Sequence, residues 1–370
     1  SLCMHVLEEV GYLSRVALLF DNTLQKIGLT GRSVFSMLMG YGCTTSAVVL
    51  TRGMPEGSAK LRTLSVLPFT HCSAKMPIFF VMISVFFPTH RVLCTFGLYA
   101  LSVGCMLLFA YLSSRGEVLA QDFILEMPYF RPIRLRSVWQ NVYSTIKNFV
   151  GKVASVVILV SCILFVLLNF DTSFVFLQGS AGTSILQTVG EKLCVVLAPM
   201  GLNHWAIFTA LVCGVVAKEL VLSSLALANG VVQGAVLTLL ATSLQNPEMP
   251  VSFTPLTSIV FLLFVAFYMP CIATITAMRK EGGRRVMWKG ILTPLLFSYS
   301  ICTLVYQLGG LYLKGEKTLA VLWAILIALL TIVVVRYYAK IKKQKGKQRA
   351  QVACAGCGEM CGKGCCSKSR

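Results

Sequence analysis

The most constraining feature of this sequence is a series of apolar segments, each long enough to cross a bilayer. A membrane-spanning helix needs about 20 mostly apolar residues, and only helices and closed barrels satisfy their backbone hydrogen bonds inside lipid. About eight segments of that length occur, near residues 33–51, 63–87, 92–112, 149–170, 204–228, 256–278, 288–308 and 318–338. We therefore expect an all-α fold, a polytopic transmembrane helical bundle.

Three other stretches are apolar but do not read as full spans. Residues 8–30 indicate an amphipathic or half-spanning helix, and residues 184–200 an interfacial helix that stops at Pro199. Residues 231–244 are short, which favours a re-entrant or interfacial segment.

Charge supports a membrane protein. Charged residues make up 13% of the chain and hydrophobic residues 56%, whereas soluble domains carry about 25% charged residues. The net charge is +19, but most basic residues flank apolar runs, as expected of cytoplasmic loops. This pattern argues against a nucleic-acid partner. It predicts a multi-pass protein of the cell inner membrane, surrounded by lipid, with its C-terminus in the cytoplasm.

A polar segment divides the chain. We predict a first membrane half at 1–112, a cytoplasmic amphipathic connector at 113–148, a second membrane half at 149–340 and a basic, cysteine-rich cytoplasmic tail at 341–370. Because the sequence starts with Ser1 and runs directly into a motif, we expect an upstream segment, either removed or carried on another polypeptide.

Two motifs place a cysteine in an apolar run that Gly or Pro interrupts. Cys43 lies within Gly40–Ser46 and Cys271 within Tyr268–Thr274. Paired broken helices in two halves of a chain point to a transporter's binding site, and thiolate ligands indicate a transition metal. A third broken segment contains Cys72 together with His71, which is either a satisfied polar residue or a ligand.

Ionisable residues inside apolar runs are costly and are functional candidates. Lys218 and Glu219 are adjacent and cannot share a helix face, so one faces a partner or pore and the other a different helix. Glu219 is the candidate for function, with structural pairing as the alternative. Lys75 is such a residue in the second span. The first segment contains four more, which form either one internally paired face or a hydrated interfacial helix: Glu8, Glu9, Arg15 and Asp21.

The sequence contains no recognisable catalytic machinery. Residues 28–33 lack the spacing of a P-loop, so no nucleotide site is expected there. Most of the 15 cysteines stand singly in apolar runs, where cysteine is commonly a small buried hydrophobe. In the tail, four cysteines either bind a soft metal or belong to a glycine-rich end without a stable site: Cys354, Cys357, Cys361 and Cys365.

In their order along the chain, these motifs resemble the membrane part of the FeoB ferrous-iron transporter family. The segment Glu8–Arg15 is similar to E-D-x-G-Y-x-x-R, and Gly40–Cys43 to G-[FY]-G-C. The other matching segments are Lys26–Ser33, Pro68–Pro77, Gly201–Trp205, Ala217–Glu219 and Tyr268–Thr274. One departure is Thr44-Thr45-Ser46, where the family has N-x-P, so the proline expected to break that helix is absent.

The resemblance implies two Gate-type repeats with broken helices and a role in Fe²⁺ uptake across the cytoplasmic membrane. Fe²⁺ would be the transported substrate, and the metal ligands would come from Cys43, Cys271, Cys72, Glu219, Glu8 and Glu9. The chain itself would not be an enzyme. GTP and Mg²⁺ would bind only to the family's missing N-terminal domain, in cis or in trans. FeoA-like or FeoC-like proteins and a second copy of the chain are further expected partners.

Two other functions stay open. A nucleoside or organic-solute carrier would use the cysteines for packing, but the spans offer few Asn or Gln side chains for hydrogen bonding. A non-transporting scaffold would sense metal or redox state through its cysteine-rich tail.

Overall fold

The computed structural model describes residues 12–25, 27–55, 57–114, 185–228 and 253–314, together with Tyr143 and Cys162. Within these ranges the regular structure is helical and no strand occurs. The α-helices are α1 (Tyr12–Gln25), α2 (Ser33–Gly42), α3 (Thr44–Leu50), α4 (Ser58–Val66), α5 (Met76–Phe86), α6 (Arg91–Ser114), α7 (Ile185–Leu193), α8 (Trp205–Val216), α9 (Leu220–Ala228), α10 (Pro255–Phe267) and α11 (Ile272–Lys314). Short 3₁₀ turns lie at Thr51–Gly53, Leu67–Phe69, Ser73–Lys75, Pro88–His90 and Cys194–Met200.

Three helical stretches in the described part of the chain are long and apolar enough to cross a membrane. They are Ser58–Phe86, Pro88–Ser114 and Pro255–Gly310. The second contains the predicted span 92–112 as one continuous helix, α6, whose exposed Val92, Leu93 and Phe96 suit contact with lipid. The helical membrane fold predicted from hydropathy is thus confirmed.

Most of the predicted spans are interrupted. The segment 33–51 is divided between α2 and α3, and the segment 256–278 between α10 and α11. The segment 204–228 is not the single span we expected, because α8 ends at Val216 and α9 begins at Leu220. The predicted segments 231–244 and 318–338 lie outside the described residues, as do the segment 149–170 except for Cys162 and the connector except for Tyr143.

The interfacial helix expected at 184–200 takes a sharper course. Helix α7 continues as a 3₁₀ turn through Pro199 to Met200, and Gly201 reverses the chain with a φ of 71°. The segments Gln187–Met200 and Trp205–Val216 then meet at an angle of 94°, which makes the pair either one broken span or a re-entrant loop.

Proline and threonine fix where α10 starts. Thr254 and Thr257 form a capping box, in which each side chain bonds the other residue's backbone N–H, and Pro255 occupies the first turn, where no N–H is needed. Helix α11 contains non-helical backbone at Gly283 (φ 77°, ψ 176°), so it consists of two helical pieces.

Aromatic side chains join the two predicted halves. Phe69, which follows α4, stacks on Phe109 of α6 with ring centroids 4.4 Å apart. Phe297 of α11 meets Phe109 edge-on at 5.2 Å, and Phe267 of α10 lies 6.2 Å from Phe69. Backbone contacts group residues 1–306 as one compact unit and residues 307–370 as another, and all contacts described below lie in the first.

Candidate functional site

The first helix break forms at Cys43 without a proline. Cys43 has extended backbone, φ −149° and ψ 116°, and separates α2 from α3. Close packing at Gly40 accompanies the break, because a Cβ atom there would lie 2.6 Å from Oγ1 of Thr70, so only glycine lets the two segments approach. The hydroxyl of Ser73 donates to the carbonyl oxygen of Gly42 at 2.9 Å and thereby satisfies a backbone group near the break.

The second break follows from Pro270. In an unbroken helix the carbonyl oxygen of Ala266 would accept from residue 270, and proline has no N–H to donate. Nζ of Lys75 donates to this oxygen instead, at 2.6 Å. Nζ of Lys218 donates to the carbonyl oxygen of Met269 at 2.7 Å. Two lysines thus replace the hydrogen bonds that the break removes.

Both lysines are buried, with exposed fractions of 4% for Lys75 and 3% for Lys218. The ammonium group of Lys218 also lies over the ring of Tyr268, 3.5 Å from its centroid, in cation–π geometry. A buried charge needs compensation. The sulfur atoms of Cys72 and Cys271 lie within electrostatic range of both ammonium groups.

Side chains of the two breaks meet directly. Oγ1 of Thr45 lies 3.0 Å from Oγ1 of Thr274 and 3.9 Å from Sγ of Cys271. Sγ of Cys271 is also 3.2 Å from Oγ1 of Thr274. One thiol and two hydroxyls, drawn from both predicted halves, therefore form a small polar cluster at the start of α3 and α11.

From this cluster α3 and the first piece of α11 run side by side in the same direction. Buried Val48 and Met278 belong to one apolar group between them. At its far end Arg52 donates to Glu281, with Nε 2.6 Å from Oε1. The hydrogen bond and then the charge of Glu281 raise the pKa of Arg52, so the arginine stays charged.

The predicted ligands within the described residues do not form a ready-made metal site. Cys43, Cys72 and Cys271 are free thiols and half-buried, and Glu219 is exposed. Within the described ranges, no group of three or more His, Cys, Asp or Glu side chains is arranged to hold a metal ion. The candidates that lie outside the described residues are Glu8, Glu9, Cys354, Cys357, Cys361 and Cys365.

His71 lies in aromatic surroundings that differ from the polar cluster of Cys271, Thr45 and Thr274. It is fully buried, and neither ring nitrogen makes a well-formed hydrogen bond, although the backbone of Leu98 lies near. Its ring packs against Phe79, Tyr99 and Phe267 at centroid distances of 5.4, 5.7 and 5.3 Å. The surroundings of His71 are aromatic, which does not suit a metal ligand.

Asp21 and Arg62 organise the loop that only superficially resembles a P-loop. Oδ1 of Asp21 accepts from the backbone of Gly31 at 2.6 Å, and Arg62 donates to the carbonyl of Gly28 at 3.0 Å. Gly28 has a φ of 73°, which favours glycine. These hydrogen bonds from Asp21 and Arg62 stabilise the turn between Gly28 and Gly31.

Sequence reasoning missed the functional partners of the cysteines. Thr45 and Thr274 were not candidates, yet they contact Cys271. Lys75 and Lys218 were recognised as ionisable but not as donors to broken backbone. The available signal was position, since each lysine lies in an apolar run far from any loop into which it could snorkel.

Comparison with known proteins agrees with this architecture. Two stretches, residues 1–86 and 150–285, match the family described as "Gate: Nucleoside recognition". The chain belongs to the Gate family. Each of the two stretches that match Gate contains broken helices, Cys43 and Lys75 lying in the first and Lys218 and Cys271 in the second.

Curated relatives of this Gate chain carry iron-transporter names. "Fe(2+) transporter FeoB" of Staphylococcus aureus (strain MSSA476) is 29% identical over 317 residues, covering 83% of the chain and 45% of the relative. The Methanocaldococcus jannaschii protein of that name is 26% identical over 318 residues, or 82% of the chain and 45% of the relative.

A third relative is a fusion, "Fe(2+) transport protein A/Fe(2+) transporter FeoB fusion protein" of Porphyromonas gingivalis. It is 26% identical over 355 residues, covering 83% of the Gate chain and 41% of the relative. The chain thus spans about half the length of the curated relatives it matches. No solved structure gives a significant match.

Proposed function

We propose that this chain is the membrane permease part of a FeoB-like transporter and moves Fe²⁺ across the cytoplasmic membrane. The observation that carries the proposal is the meeting of two interrupted helices at the thiol of Cys271, with Thr45 contributed by the other half. The names of the relatives supply the cargo, and the basic loops favour the inner membrane with a cytoplasmic C-terminus.

Fe²⁺ accepts thiolate, imidazole and carboxylate ligands. We propose Cys271, Cys43 and Cys72 as thiolate ligands, with Glu219 as a carboxylate. Two buried ammonium groups nearby would repel a dication, so ion binding requires the thiols to be deprotonated. Binding should therefore release protons and weaken in acid. Glu8 and Glu9 are proposed to add negative charge to the same pathway.

The energy source and partners belong to the same proposal. A GTP-binding domain that holds GTP and Mg²⁺ would act on the permease in cis or in trans. The fusion relative supports a FeoA-like partner. A FeoC-like protein, a second copy of the chain and metal binding by the tail cysteines complete the proposal.

A second candidate, a nucleoside carrier, is favoured by the description of the Gate family itself. It predicts that Cys271 serves packing and that a nucleoside competes for the pathway. The described cluster offers one thiol and two hydroxyls at short range, and its thiol, when deprotonated, is a ligand of the kind that suits a transition-metal ion.

Uptake of radioactive Fe²⁺ into proteoliposomes tests the proposal. We expect uptake by the parent chain to be reduced by Zn²⁺ or Mn²⁺ but not by a nucleoside. Cys43→Ser/Cys271→Ser should lower uptake by about tenfold or more, as loss of metal-site groups commonly does. The matched control is Cys94→Ser, a half-buried thiol on α6, which should leave uptake unchanged.

Parent-rate uptake by the double cysteine variant would show that the proposed ligands are wrong. Competition by a nucleoside with no Fe²⁺ uptake would identify the organic-solute carrier. Absence of both Fe²⁺ uptake and nucleoside competition, in protein that is correctly inserted and assayed together with the GTP-binding domain, would indicate the non-transporting scaffold.

A further inference from the structure

The two stretches that match the Gate family can be compared break by break. In the first, Cys43 is extended, with φ −149° and ψ 116°. In the second, Ala217 is extended, with φ −144° and ψ 128°. Each follows a buried glycine by three residues, Gly40 and Gly214. A side chain at Gly40 would collide with Thr70, and one at Gly214 with Tyr268, so each glycine faces the later break of its own stretch. Cys43 is therefore the counterpart of Ala217.

The later breaks correspond in the same way. The segments Cys72–Lys75 and Cys271–Thr274 share cysteine at the first position and alanine at the third. Each follows extended backbone, at Thr70 (φ −71°, ψ 144°), two residues before Cys72, and at Tyr268 (φ −66°, ψ −172°), three residues before Cys271. This alignment makes Lys75 the counterpart of Thr274.

Contacts inside each stretch agree with the alignment. In the first, Oγ1 of Thr44 lies 3.4 Å from Oγ1 of Thr70. In the second, Lys218 bonds the carbonyl oxygen of Met269 at 2.7 Å. The alignment pairs Thr44 with Lys218 and Thr70 with Met269, so the same two positions touch in both stretches.

Contacts between the stretches are not symmetric. Thr45 bonds Thr274 at 3.0 Å, and their counterparts are Glu219 and Lys75, which have opposite charges. Lys75 instead donates to the carbonyl of Ala266. Glu219 is exposed, and among the described residues its carboxylate has no hydrogen bond or ion pair. One of two equivalent contacts is made and the other is open.

We propose that Lys75 and Glu219 are positioning residues that form an ion pair in a second state of the protein, in exchange for the Thr45–Thr274 contact. This inference rests on the proposed transport function, in which repeats rearrange around a central site. Helices α5 and α9, which begin directly after Lys75 and Glu219, pack against each other. The two residues therefore precede helices that are already in contact.

The exchange gives the charges of Lys75 and Glu219 a partner in the second state. A carboxylate without a partner in an apolar run is costly, and pairing with Lys75 removes that cost. When Lys75 turns to Glu219, the carbonyl of Ala266 loses its donor beside Cys271. That oxygen then becomes available to a cation, which couples the ion pair to ion binding.

Carbodiimide coupling of the unmodified chain in liposomes tests the exchange. The reagent joins a lysine and a carboxylate in contact as an isopeptide, and fragment mass spectra distinguish Lys75–Glu219 from the neighbouring lysine. Because coupling is irreversible, even a state populated at about 1% accumulates product. We expect the Lys75–Glu219 product in the parent chain and a several-fold higher yield in Thr45→Val/Thr274→Val, which loses the opposing contact.

Thr276→Val is the matched control, since Thr276 is exposed on the same helix and bonds only the carbonyl of Ala273; its yield should equal the parent's. Absence of the product in both the parent and the double threonine variant overturns the exchange, as does an equal yield in the double variant and the control. Fe²⁺ uptake by the same liposomes separates the two proposals. Uptake without the product refutes only the exchange, whereas the product without uptake refutes only the iron function.

Discussion

Nζ of Lys75 lies 2.6 Å from the carbonyl oxygen of Ala266, 191 residues further along the chain. That oxygen lacks its helical donor because residue 270 is proline. A side chain of the first Gate stretch therefore completes the hydrogen bonding of a broken helix in the second. The interruption at Cys271 is consequently a property of the whole bundle and not of its own segment.

Removing the Lys75 donor should destabilise the protein. We expect Lys75→Met to lower the free energy of unfolding by about 1–3 kcal/mol, since it leaves a buried carbonyl unsatisfied. Pro270→Ala restores an N–H at the position that would serve Ala266 in a helix, so the double variant should regain part of the loss. Thermal denaturation in detergent measures both. Lys280→Met, at an exposed position, is the control, and an unfolding temperature for Lys75→Met equal to that of the control would contradict the assignment.

The close approach at Gly40 gives a second prediction. Gly40→Ala should destabilise the protein and reduce uptake, because the new methyl group would lie 2.6 Å from Oγ1 and 2.8 Å from Cγ2 of Thr70. Adding Thr70→Ala removes both atoms and should recover part of the stability. Gly97→Ala on α6 meets no atom within 4 Å and should be neutral or slightly stabilising. Equal effects of the two glycine substitutions would show that the contact does not matter.

The pair between Arg52 and Glu281 should contribute little in isolation. Its arginine side chain is 62% exposed, whereas the side chain of Glu281 is 9% exposed. Because solvent screens the arginine, we expect a coupling near the upper end of the range of about 0.2–1 kcal/mol for exposed ion pairs. A double-mutant cycle with Arg52→Ala and Glu281→Ala, read as unfolding temperature, should give a coupling of that size that shrinks as salt is raised. The charge-exchanged variant Arg52→Glu/Glu281→Arg should retain most of it. A coupling that does not change with salt would mean that the pair is not an exposed electrostatic contact.

The position of a residue along α6 should determine whether a charged substitution there is tolerated in the membrane. Val103 is 39% exposed near its middle and Leu93 is 71% exposed near its start. Val103→Lys should reduce membrane insertion, because a lysine at the centre of a span costs about 2.5–3.5 kcal/mol. Leu93→Lys can reach the interface and should insert normally. An insertion assay in microsomes compares the two, and equal insertion would argue against α6 as a span.

Local sequence predicted the breaks where local chemistry causes them. Pro270 removes a donor, so the interruption beside Cys271 could be predicted from the sequence alone. At Cys43 the expected proline is missing, yet the helix still ends there, three residues after the close approach of Gly40 to Thr70. The flanking glycines indicate the position, but the contact with Thr70 is visible only in the packed structure.

The break at Ala217 could not be predicted from local sequence. No glycine or proline stands between Ala217 and Glu219, and the run reads as one span. The helix is interrupted where Lys218 reaches the carbonyl of Met269, a contact across 51 residues. Lys218 is buried and the adjacent Glu219 is exposed, and the prediction that one faces a partner or pore and the other a different helix stays a prediction. The role of Glu219 as a metal ligand stays a prediction.

The contacts between α3 and α11, from Thr45–Thr274 to Arg52–Glu281, restrict how these helices can move. Thr45 and Arg52 are about two helical turns apart, and so are their partners Thr274 and Glu281, which fixes the register at both ends. When the Thr45–Thr274 contact opens, the Arg52–Glu281 hydrogen bond at the far end still joins α3 to α11. The two helices should therefore separate first at their N-terminal ends and stay in contact near Arg52.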